Sequence, residues 1–429
     1  MKSKSIAIGG KFKPSPLGPI PKDWEVVRLG EVSKVIRGAS PRPKGDPRYF
    51  SDIPTSYRWL KISDLSKYRQ GMCLYDTEEY LTAEGMRKSV LVSEGTLLLT
   101  NSGTIGKPVI TKVPVCIHDG FLALKDIHTQ VQREFLYFLL EHFQKKLTIR
   151  APRGTQANLN TSIVKSLPIP LPPLPEQKRI AEVLRTVDEA IEKVDREMEH
   201  TERLKRGLMQ HLLTRGIGHT RFKDSPLGKI PETWEVVRLK ELTLKMFGGG
   251  TPSTNKKEYW DGDIPWITSA HINGMYVQDG QRYISQEGVE HSSTNVVPAG
   301  NVIVATRVGI GKVAIAKIDV AISQDLTGII VNRDRAIPEF LYWLLNYNRF
   351  GLKRFAQGST IKGVLRSTIA NMYLPLPPLP EQRKIAEILM TVDRKLELFR
   401  REKEHLQRLK KGLMDDLLTG RRRLRVEGA

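Results

Sequence analysis

Cysteine is scarce in this 429-residue sequence, which contains only Cys73 and Cys116. Two cysteines exclude a disulfide-rich scaffold and a cysteine-based zinc site. Long apolar runs are also missing, because no segment approaches the ~20 consecutive apolar residues of a membrane-spanning helix. The first residues hold too short an apolar run for a secretory signal peptide. We therefore expect a cytoplasmic protein without a membrane partner.

Recognisable catalytic motifs are missing as well. Lys107 and Lys312 follow glycines, but Asn101 and Thr306 stand where the phosphate-binding pattern G-x-x-x-x-G-K-[ST] has its first glycine. The DPRY segment at 46–49 lacks the second proline of the D-P-P-Y signature of amino-methyltransferases, and no apolar strand leads into it. The sequence predicts no catalytic residue, no metal site and no cofactor in this chain.

Positive charge is in excess and unevenly distributed. The chain has 68 Lys and Arg against 47 Asp and Glu, a formal net charge of +21. Residues 1–170 carry 26 basic and 15 acidic side chains, and residues 221–375 carry 19 and 14, whereas residues 176–214 carry 8 and 9. An excess of this size favours a polyanionic partner, with a solvated basic surface as the alternative. The distribution favours two domains that contact DNA and two elements with a structural task.

The sequence contains two copies of one unit of about 200 residues. Residues 15–32 return at 225–242 with 13 of 18 positions identical, and residues 170–214 return at 375–419 with 29 of 45 identical. Between these segments the copies diverge but stay in register. The chain is therefore a tandem duplication whose copies agree at their ends and in scaffold positions and differ in between.

Each copy ends in a long amphipathic helix. After each LPPLPEQ segment, eight of ten positions in two heptad series are apolar over about five heptads, which is typical of a coiled coil. The polar exceptions are Thr201, Lys205, Lys403 and Lys410. We expect the two helices to pack on each other, antiparallel if the copies are related by a pseudo-twofold axis. The alternative is that each helix packs on its own domain.

The divergent segments predict α+β domains. Apolar runs at 95–100, 109–117, 301–305 and 313–318 have the length of strands. Residues 134–146 and 339–348 are expected to be helices, with Pro338 in the first turn of the second one. The predicted segments are a first domain at 11–170 and its helix at 171–216, then a second domain at 221–375 and its helix at 376–421.

The duplicated W-E-V-V-R-L segment, the P-L-P-P-L-P-E-Q helix start and the G-L-M…L-L-T helix end together resemble the specificity subunit of type I restriction-modification systems. The resemblance covers residues 12–420. It implies two target-recognition domains related by a pseudo-twofold axis, each followed by a long helix, with the helices forming an antiparallel coiled coil.

The same resemblance implies a non-catalytic subunit that reads an asymmetric bipartite site in double-stranded DNA. Its partners would be two methyltransferase subunits, with restriction subunits joining through them. An autonomous DNA-binding scaffold, and a DNA nuclease whose site lies within 35–160 or 245–365, are the alternatives.

The residues expected to contact DNA lie in polar loops that differ between the copies, since base edges are read by side chains that offer donors and acceptors. In the first domain they are Arg42, Lys44, Lys61, Arg153, Gln156 and Asn158. In the second domain they are Thr251, Ser253, Lys256, Lys257, Arg307, Gln357, Thr360 and Lys362. Each could instead be an ordinary solvated loop residue.

Overall fold

The chain divides into two compact units. The computed structural model describes residues 12–150, 159–349 and 363–424. The first unit comprises residues 1–197 and 399–429, and the second comprises residues 198–398. Each unit therefore contains one mixed α/β domain and a part of both long helices.

The first domain is built around two large β-sheets, with two small strand pairs beside them. Its strands are β1 (Phe12–Lys13), β2 (Ile20–Pro21), β3 (Glu25–Arg28), β4 (Lys34–Arg37), β5 (Phe50–Ser51), β6 (Arg58–Leu60), β7 (Arg69–Gln70), β8 (Cys73–Leu74), β9 (Glu79–Leu81), β10 (Val90–Val92), β11 (Leu97–Thr100), β12 (Pro108–Thr111), β13 (Val115–Ile117), β14 (Phe121–Lys125) and β15 (Pro168–Leu171). The larger sheet has the order β4-β14-β11-β12-β8-β7, and the smaller has the order β10-β13-β6-β9-β5. In the two small pairs, β1 is paired to β2 and β3 is paired to β15.

Helices pack against both sheets of this domain. They are α1 (Leu29–Val32), α2 (Ala83–Arg87), α3 (Arg133–Arg150), α4 (Thr161–Lys165) and α5 (Leu174–Thr214), with a 3₁₀ helix at Ile62–Ser66. All four residues of β11 are buried, as are the consecutive α3 residues from Phe135 to Leu140. A strand and a helix that are apolar on every side are stable only inside a core, so α3 and the larger sheet bury each other.

The second domain repeats this plan. Its strands are β16 (Phe222–Ser225), β17 (Gly228–Pro231), β18 (Glu235–Arg238), β19 (Thr243–Gly248), β20 (Ile264–Ile267), β21 (Tyr276–Val277), β22 (Arg282–Ile284), β23 (Asn295–Val297), β24 (Val302–Ala305), β25 (Val313–Ala316), β26 (Val320–Ile322), β27 (Leu326–Val331) and β28 (Tyr373–Leu376). The sheets have the orders β19-β27-β24-β25-β21 and β22-β20-β26-β23.

The helices of the second half are α6 (Gln286–Glu290), α7 (Pro338–Tyr347), α8 (Arg366–Ala370) and α9 (Leu379–Leu417), with 3₁₀ helices at Leu239–Leu242, Lys257–Trp260 and Ser269–His271. Pro338 occupies the first turn of α7, where its missing N–H costs no hydrogen bond. The α7 residues from Phe340 to Leu345 are all buried against the sheet. No helix in the described part of the chain is long and apolar enough to cross a membrane.

One strand predicted from the sequence is wrong. Residues 109–117 form two strands, β12 and β13, rather than one. Strand β12 pairs with β11 in the larger sheet, whereas β13 pairs with β10 and β6 in the smaller sheet. Pro114 stands directly before β13 and has no N–H to offer a continuous ladder, so the chain turns there and changes sheet.

The two most repeated motifs contact each other within each unit. In the first unit the indole nitrogen of Trp24, from the W-E-V-V-R-L segment, donates to Glu176 of the LPPLPEQ segment over 3.1 Å. In the second unit Trp234 donates to Glu381 over 3.0 Å. Both tryptophans are fully buried. The motifs therefore recur together because a buried indole N–H needs an acceptor at the start of the long helix.

The long helices pair antiparallel. In the first unit Lys403 of α9 contacts Asp195 of α5 at 2.5 Å, and Lys410 contacts Asp188 at 2.7 Å. Seven residues forward along α9 thus correspond to seven residues backward along α5. A shift of one helix along the other would separate these partly buried charges from their partners. The pairs therefore also select one register of the two helices.

The second unit contains the matching pair. Lys205 of α5 contacts Asp393 of α9, and its ammonium group lies 5.0 Å from the ring centroid of Trp343. Three of the four polar residues at seam positions thus form ion pairs between the helices, and the fourth, Thr201, is buried. The predicted fold class, α+β domains with an antiparallel coiled coil, is confirmed.

Candidate nucleic-acid interface

Several polar loops meet at one end of each larger sheet. In the first domain Arg37, the last residue of β4, pairs with Leu122, and Thr100, the last residue of β11, pairs with Phe121. Residues 38–49, 101–107 and 118–120 therefore leave the sheet at the same edge, which we call the first loop end. The corresponding residues 249–259, 306–312 and 323–325 form the second loop end.

The backbone of the two loop ends is the same. Each of the following hydrogen bonds in the first domain has its equivalent in the second: Ala39 N to Ile117 O (3.1 Å) and Gly250 N to Ile322 O (3.0 Å), His118 N to Leu60 O (3.1 Å) and Ser323 N to Ile267 O (3.0 Å), Asn101 N to Gly120 O (2.9 Å) and Thr306 N to Asp325 O (2.8 Å). One scaffold thus holds two different sets of side chains.

Glycine permits the close approach of these loops. A Cβ at Gly38 would lie 2.2 Å from the carbonyl oxygen of His118, and one at Gly249 would lie 1.9 Å from that of Ile322. Both distances are far below van der Waals contact, and the opposing atoms belong to the backbone. Any other residue would push the first loop away from the hairpin that follows β13 or β26.

Basic side chains surround Asp119 at the first loop end. Arg37 Nε donates to the Asp119 carbonyl oxygen over 3.0 Å, and Ser40 Oγ donates to its carboxylate over 2.5 Å. Burial acts to raise the pKa of Asp119, but the Ser40 hydrogen bond and the charges of Arg37 and Arg42 lower it. The carboxylate is therefore ionised at neutral pH.

His118 beside it is neutral. Its Nδ1 lies 2.9 Å from the backbone nitrogen of Gly120 and 3.1 Å from Asp119 Oδ1. The pKa of His118 is lowered by burial first, and the charges of Arg42 and Lys44 act in the same direction.

Three residues predicted in the first domain are within its described part. Arg42 and Lys44 are exposed at the first loop end. Lys61 is half-buried elsewhere, at the start of the Ile62–Ser66 helix, where its ammonium group contacts Glu79 at 2.5 Å. An ammonium group that already has a carboxylate partner has less to offer a phosphate, so the structure favours Arg42 and Lys44 over Lys61.

The second loop end encloses a cleft of about 530 Å³. Its polar lining includes Arg307, which was predicted from the sequence, and Gln324 and Arg366, which were not. Thr251 Oγ1 donates to Gln324 Oε1 over 2.5 Å. A guanidinium nitrogen of Arg366 lies beside Gly248, 3.1 Å from the point where a Cβ on this glycine would stand.

The predicted residues Ser253, Lys256 and Lys257 lie on the 249–259 loop of the second loop end. The carbonyl oxygen of Ser253 accepts a hydrogen bond from the indole nitrogen of Trp260 over 3.1 Å. Lys256 donates to the hydroxyl of Tyr259 over 2.8 Å and also lies over its ring. Lys257 is exposed at the start of a 3₁₀ helix. The loop thus presents two ammonium groups, one of them oriented by an aromatic ring.

Six predicted residues lie outside the described part of the chain: Arg153, Gln156, Asn158, Gln357, Thr360 and Lys362. The described residues that follow them are bound to the loop ends. Leu159 N donates to Asn101 O, and Val364 N donates to Thr306 O, both over 2.8 Å.

Sequence reasoning missed Arg37, Asp119, Gln324 and Arg366. A signal was present, since Asp119 and Gln324 occupy the same position after a short apolar strand in both copies and differ in side chain. That position is brought to the loop end by pairing between strands distant in sequence, which no local pattern reveals.

Comparison with known proteins identifies the family. The model of the type I restriction modification DNA specificity domain matches residues 21–199 and again residues 231–408. The chain belongs to this family of type I specificity subunits. It is accordingly a DNA sequence-recognition subunit of a type I restriction-modification system, as the resemblance in the sequence implied.

Relatives of this specificity subunit match it over most of its length. The type I restriction enzyme MjaVIII specificity subunit of Methanocaldococcus jannaschii is 27% identical over 426 residues, which cover 95% of this chain and 94% of the relative. A protein of the same organism named for the MjaX enzyme is 29% identical and covers 97% of both chains. The EcoR124I/EcoR124II specificity subunit of Escherichia coli is 26% identical over 78% of this chain and 86% of its own.

Solved structures share the fold of the specificity subunit. The crystal structure of the type I S subunit from M. genitalium has a TM-score of 0.59 at 14% identity, covering 92% of this chain and 96% of that one. A chain from a study of complex assembly and conformational transition in a type I system has a TM-score of 0.56 at 21% identity, covering 94% and 99%.

Proposed function

We propose that this specificity subunit reads an asymmetric, bipartite DNA target, with each domain reading one half. The observation that carries the proposal is that the two loop ends share a backbone and differ in side chains. Asp119 and Arg42 in one correspond in position to Gln324 and Ser253 in the other. Since base edges are distinguished by their donors and acceptors, two different sets of side chains read two different half-sites.

The phosphate backbone would supply most of the affinity. Arg42, Lys44 and Lys257 are exposed and can offer positive charge to phosphates. The chain as a whole has a net charge of +21. Phosphate contacts fix the register of a protein on DNA and release counterions, so they make binding depend on salt.

The long helices are proposed to set the number of base pairs between the half-sites. Helices α5 and α9 have 41 and 39 residues, about 60 Å each at 1.5 Å per residue. One helical turn of DNA rises about 34 Å. Elements of this length are sufficient to separate two reading domains by one turn or more.

The same helices are proposed to dock two methyltransferase subunits, through which restriction subunits join, while this chain takes no part in the chemistry. Family membership supports this proposal, as does the presence of nearly the same helix in both halves, which offers two similar docking surfaces. Copurification of the tagged chain with its methyltransferase subunit would test it. Isolation of the chain alone from cells that express both would favour an autonomous DNA-binding scaffold.

An exchange of domains tests the division of the target. Residues 11–170 are replaced by the corresponding segment of a relative such as the MjaVIII subunit, and the methylated motif is determined with the methyltransferase present. We expect one half of the motif to change and the other half to stay. A change in both halves would show that the domains do not read independently.

Incubation of the purified chain with DNA and Mg²⁺ separates the proposed function from a nuclease. We expect intact DNA over hours, because the chain is proposed to recognise its target without cleaving it. Cleavage that persists through purification and disappears in a variant within residues 35–160 or 245–365 would establish the alternative.

A further inference from the structure

One position has the same neighbours and a different side chain in the two domains. Asp119 and Gln324 each follow the last residue of a hairpin strand by two positions and each accept a hydrogen bond from a hydroxyl of the facing loop. The donor is Ser40 in the first domain and Thr251 in the second, and the distance is 2.5 Å in both. The hydroxyl therefore orients whichever side chain the hairpin presents.

The surroundings of Asp119 suit a contact to a DNA base rather than to a phosphate. A carboxylate repels phosphate, yet this one lies among Arg37, Arg42 and Lys44 at the first loop end. The Ser40 hydrogen bond and the charges of Arg37 and Arg42 keep it ionised, and the cations also attract the DNA backbone. An ionised carboxylate that comes close to DNA in such a setting can only accept hydrogen bonds, and in the major groove it can accept them from exocyclic amino groups.

The geometry leaves both side chains able to bind a base. The Ser40 hydrogen bond uses Asp119 Oδ1, and His118 Nδ1 lies 3.1 Å from the same oxygen. Asp119 Oδ2 lies 4.0 Å from a guanidinium nitrogen of Arg37. The carboxylate is 34% exposed, so acceptor sites remain for a ligand. In the second domain Thr251 occupies one lone pair of Gln324 Oε1. The second lone pair and the amide N–H₂ are the groups that an amide uses to pair with adenine.

We propose that Asp119 and Gln324 are equivalent base-reading residues, one in each half of the target. Asp119 accepts a hydrogen bond from the exocyclic amino group of a cytosine or adenine, and Gln324 pairs with adenine through its amide. Ser40 and Thr251 are positioning residues. This inference rests on the proposed function, since it requires that each domain read its own half-site.

A purely structural link between the loops explains less. The neutral amide of Gln324 makes the same link as the carboxylate of Asp119, so the link needs no charge. A buried side chain would serve it best, yet Gln324 is exposed and lines the cleft with Arg307 and Arg366.

Two isosteric substitutions test the assignment. Asp119→Asn keeps an acceptor for Ser40 and replaces the second acceptor by a donor, whereas Gln324→Glu removes the amide donor. The matched controls are Asp52→Asn and Gln278→Glu, which make the same changes of charge at exposed residues outside the two loop ends. Each variant is assembled with the methyltransferase subunit and titrated with duplexes in which every base pair of the target is replaced in turn.

For Asp119→Asn we expect one base pair of one half-site to lose its discrimination, which for a good base contact is roughly 5- to 150-fold. For Gln324→Glu the same is expected in the other half-site, at an A·T pair. Discrimination in the untouched half-site shows that the complex is intact, and the controls should retain both profiles. Unchanged profiles, or equal weakening on all duplexes, would overturn the assignment. A wild-type complex without discrimination in either half would instead overturn the proposed function.

Discussion

Lys410 is a seam residue of the coiled coil in the first unit, and its ammonium group contacts two carboxylates. Its ammonium group lies 2.7 Å from Asp188 of α5 and 2.7 Å from Glu141 of α3, and 5.5 Å from the ring centroid of Phe138. The side chains of Lys410 and Asp188 are only 16% and 15% exposed. Substitution Lys410→Met keeps the length and the apolar stem but leaves two nearby carboxylates without their counter-charge.

The expected loss is about 3 kcal/mol of unfolding free energy, since removal of one partner from a buried ion pair costs about 3–5 kcal/mol and Glu141 is 26% exposed. Lys205→Met is the matched control. Lys205 and its partner Asp393 are more exposed, at 24% and 29%, and the residue aligned with Glu141 is the neutral Asn346. We expect about 1 kcal/mol for this control.

The destabilisation of Lys410→Met should grow with pH. Burial already raises the pKa of Asp188 above its usual 3.8, against the lowering effect of Lys410, and the variant loses that opposing effect. A carboxyl group with a raised pKa in the folded state binds its proton more tightly there than in the unfolded chain. The tighter proton binding of Asp188 therefore stabilises the folded state fully below pH 3.8. This stabilisation is lost as the pH rises through the pKa of Asp188 in the folded state.

Urea unfolding followed by hydrogen exchange along α5 measures both variants, because exchange reports the segment that opens. Lys410→Met should accelerate exchange around residues 184–195, and Asp188→Asn added to it should recover part of the loss. Equal costs for Lys410→Met and Lys205→Met would refute this reasoning, as would a Lys410→Met cost that does not grow as the pH rises from 3.8 to neutral.

Three further predictions concern DNA binding. Replacement of Lys256 and Lys257 with Ala should weaken binding similarly on all DNA sequences. The slope of log affinity against log salt should become shallower by about one per lost phosphate contact. An unchanged slope would show that neither lysine contacts a phosphate. Insertion of four residues after Val194 adds about 6 Å to α5 and should lengthen the spacer of the methylated motif by one or two base pairs. An unchanged spacer would mean that the coiled coil absorbs the insertion as a stutter and does not measure DNA. Gly249→Ala should abolish discrimination in one half-site only, because its Cβ would lie 1.9 Å from a backbone oxygen, whereas Gly274→Ala, with open space around it, should leave titrations unchanged.

The long helices were the most predictable part of the fold. Their heptads extend over about five repeats, and the helix expected at 171–216 is observed at Leu174–Thr214. Their antiparallel direction followed from the repeat only on the assumption of a twofold axis, and the ion pairs of Lys403 and Lys410 now show it directly. The limits predicted for the domains remain predictions.

The sheets were less predictable, for a physical reason. Strands β7 and β8 have two residues each, too few for an alternating pattern to appear. Strand β4 reaches its neighbour β14 across more than eighty residues of chain, so their pairing is set by the core and not by local sequence. The same distance hid Asp119, which meets Ser40 only because those strands pair.

Loop composition located part of the candidate site. Arg42 and Lys44 were expected in a polar loop and lie at the first loop end, and Arg307 lies in the cleft of the second. Lys61 was chosen for its charge alone, and its contact with Glu79 could not be foreseen because it depends on the pairing of β6 with β9. Charge in a sequence indicates where DNA could bind, whereas the partners of each charge come only from the fold.

Single-molecule sequencing of DNA from cells that express this specificity subunit with its methyltransferase subunit tests the central claim most directly. We expect one methylated motif with two different half-sites, separated by a fixed number of unspecified base pairs. A palindromic motif, or an uninterrupted one, would contradict the claim that two unlike loop ends read two halves of the target.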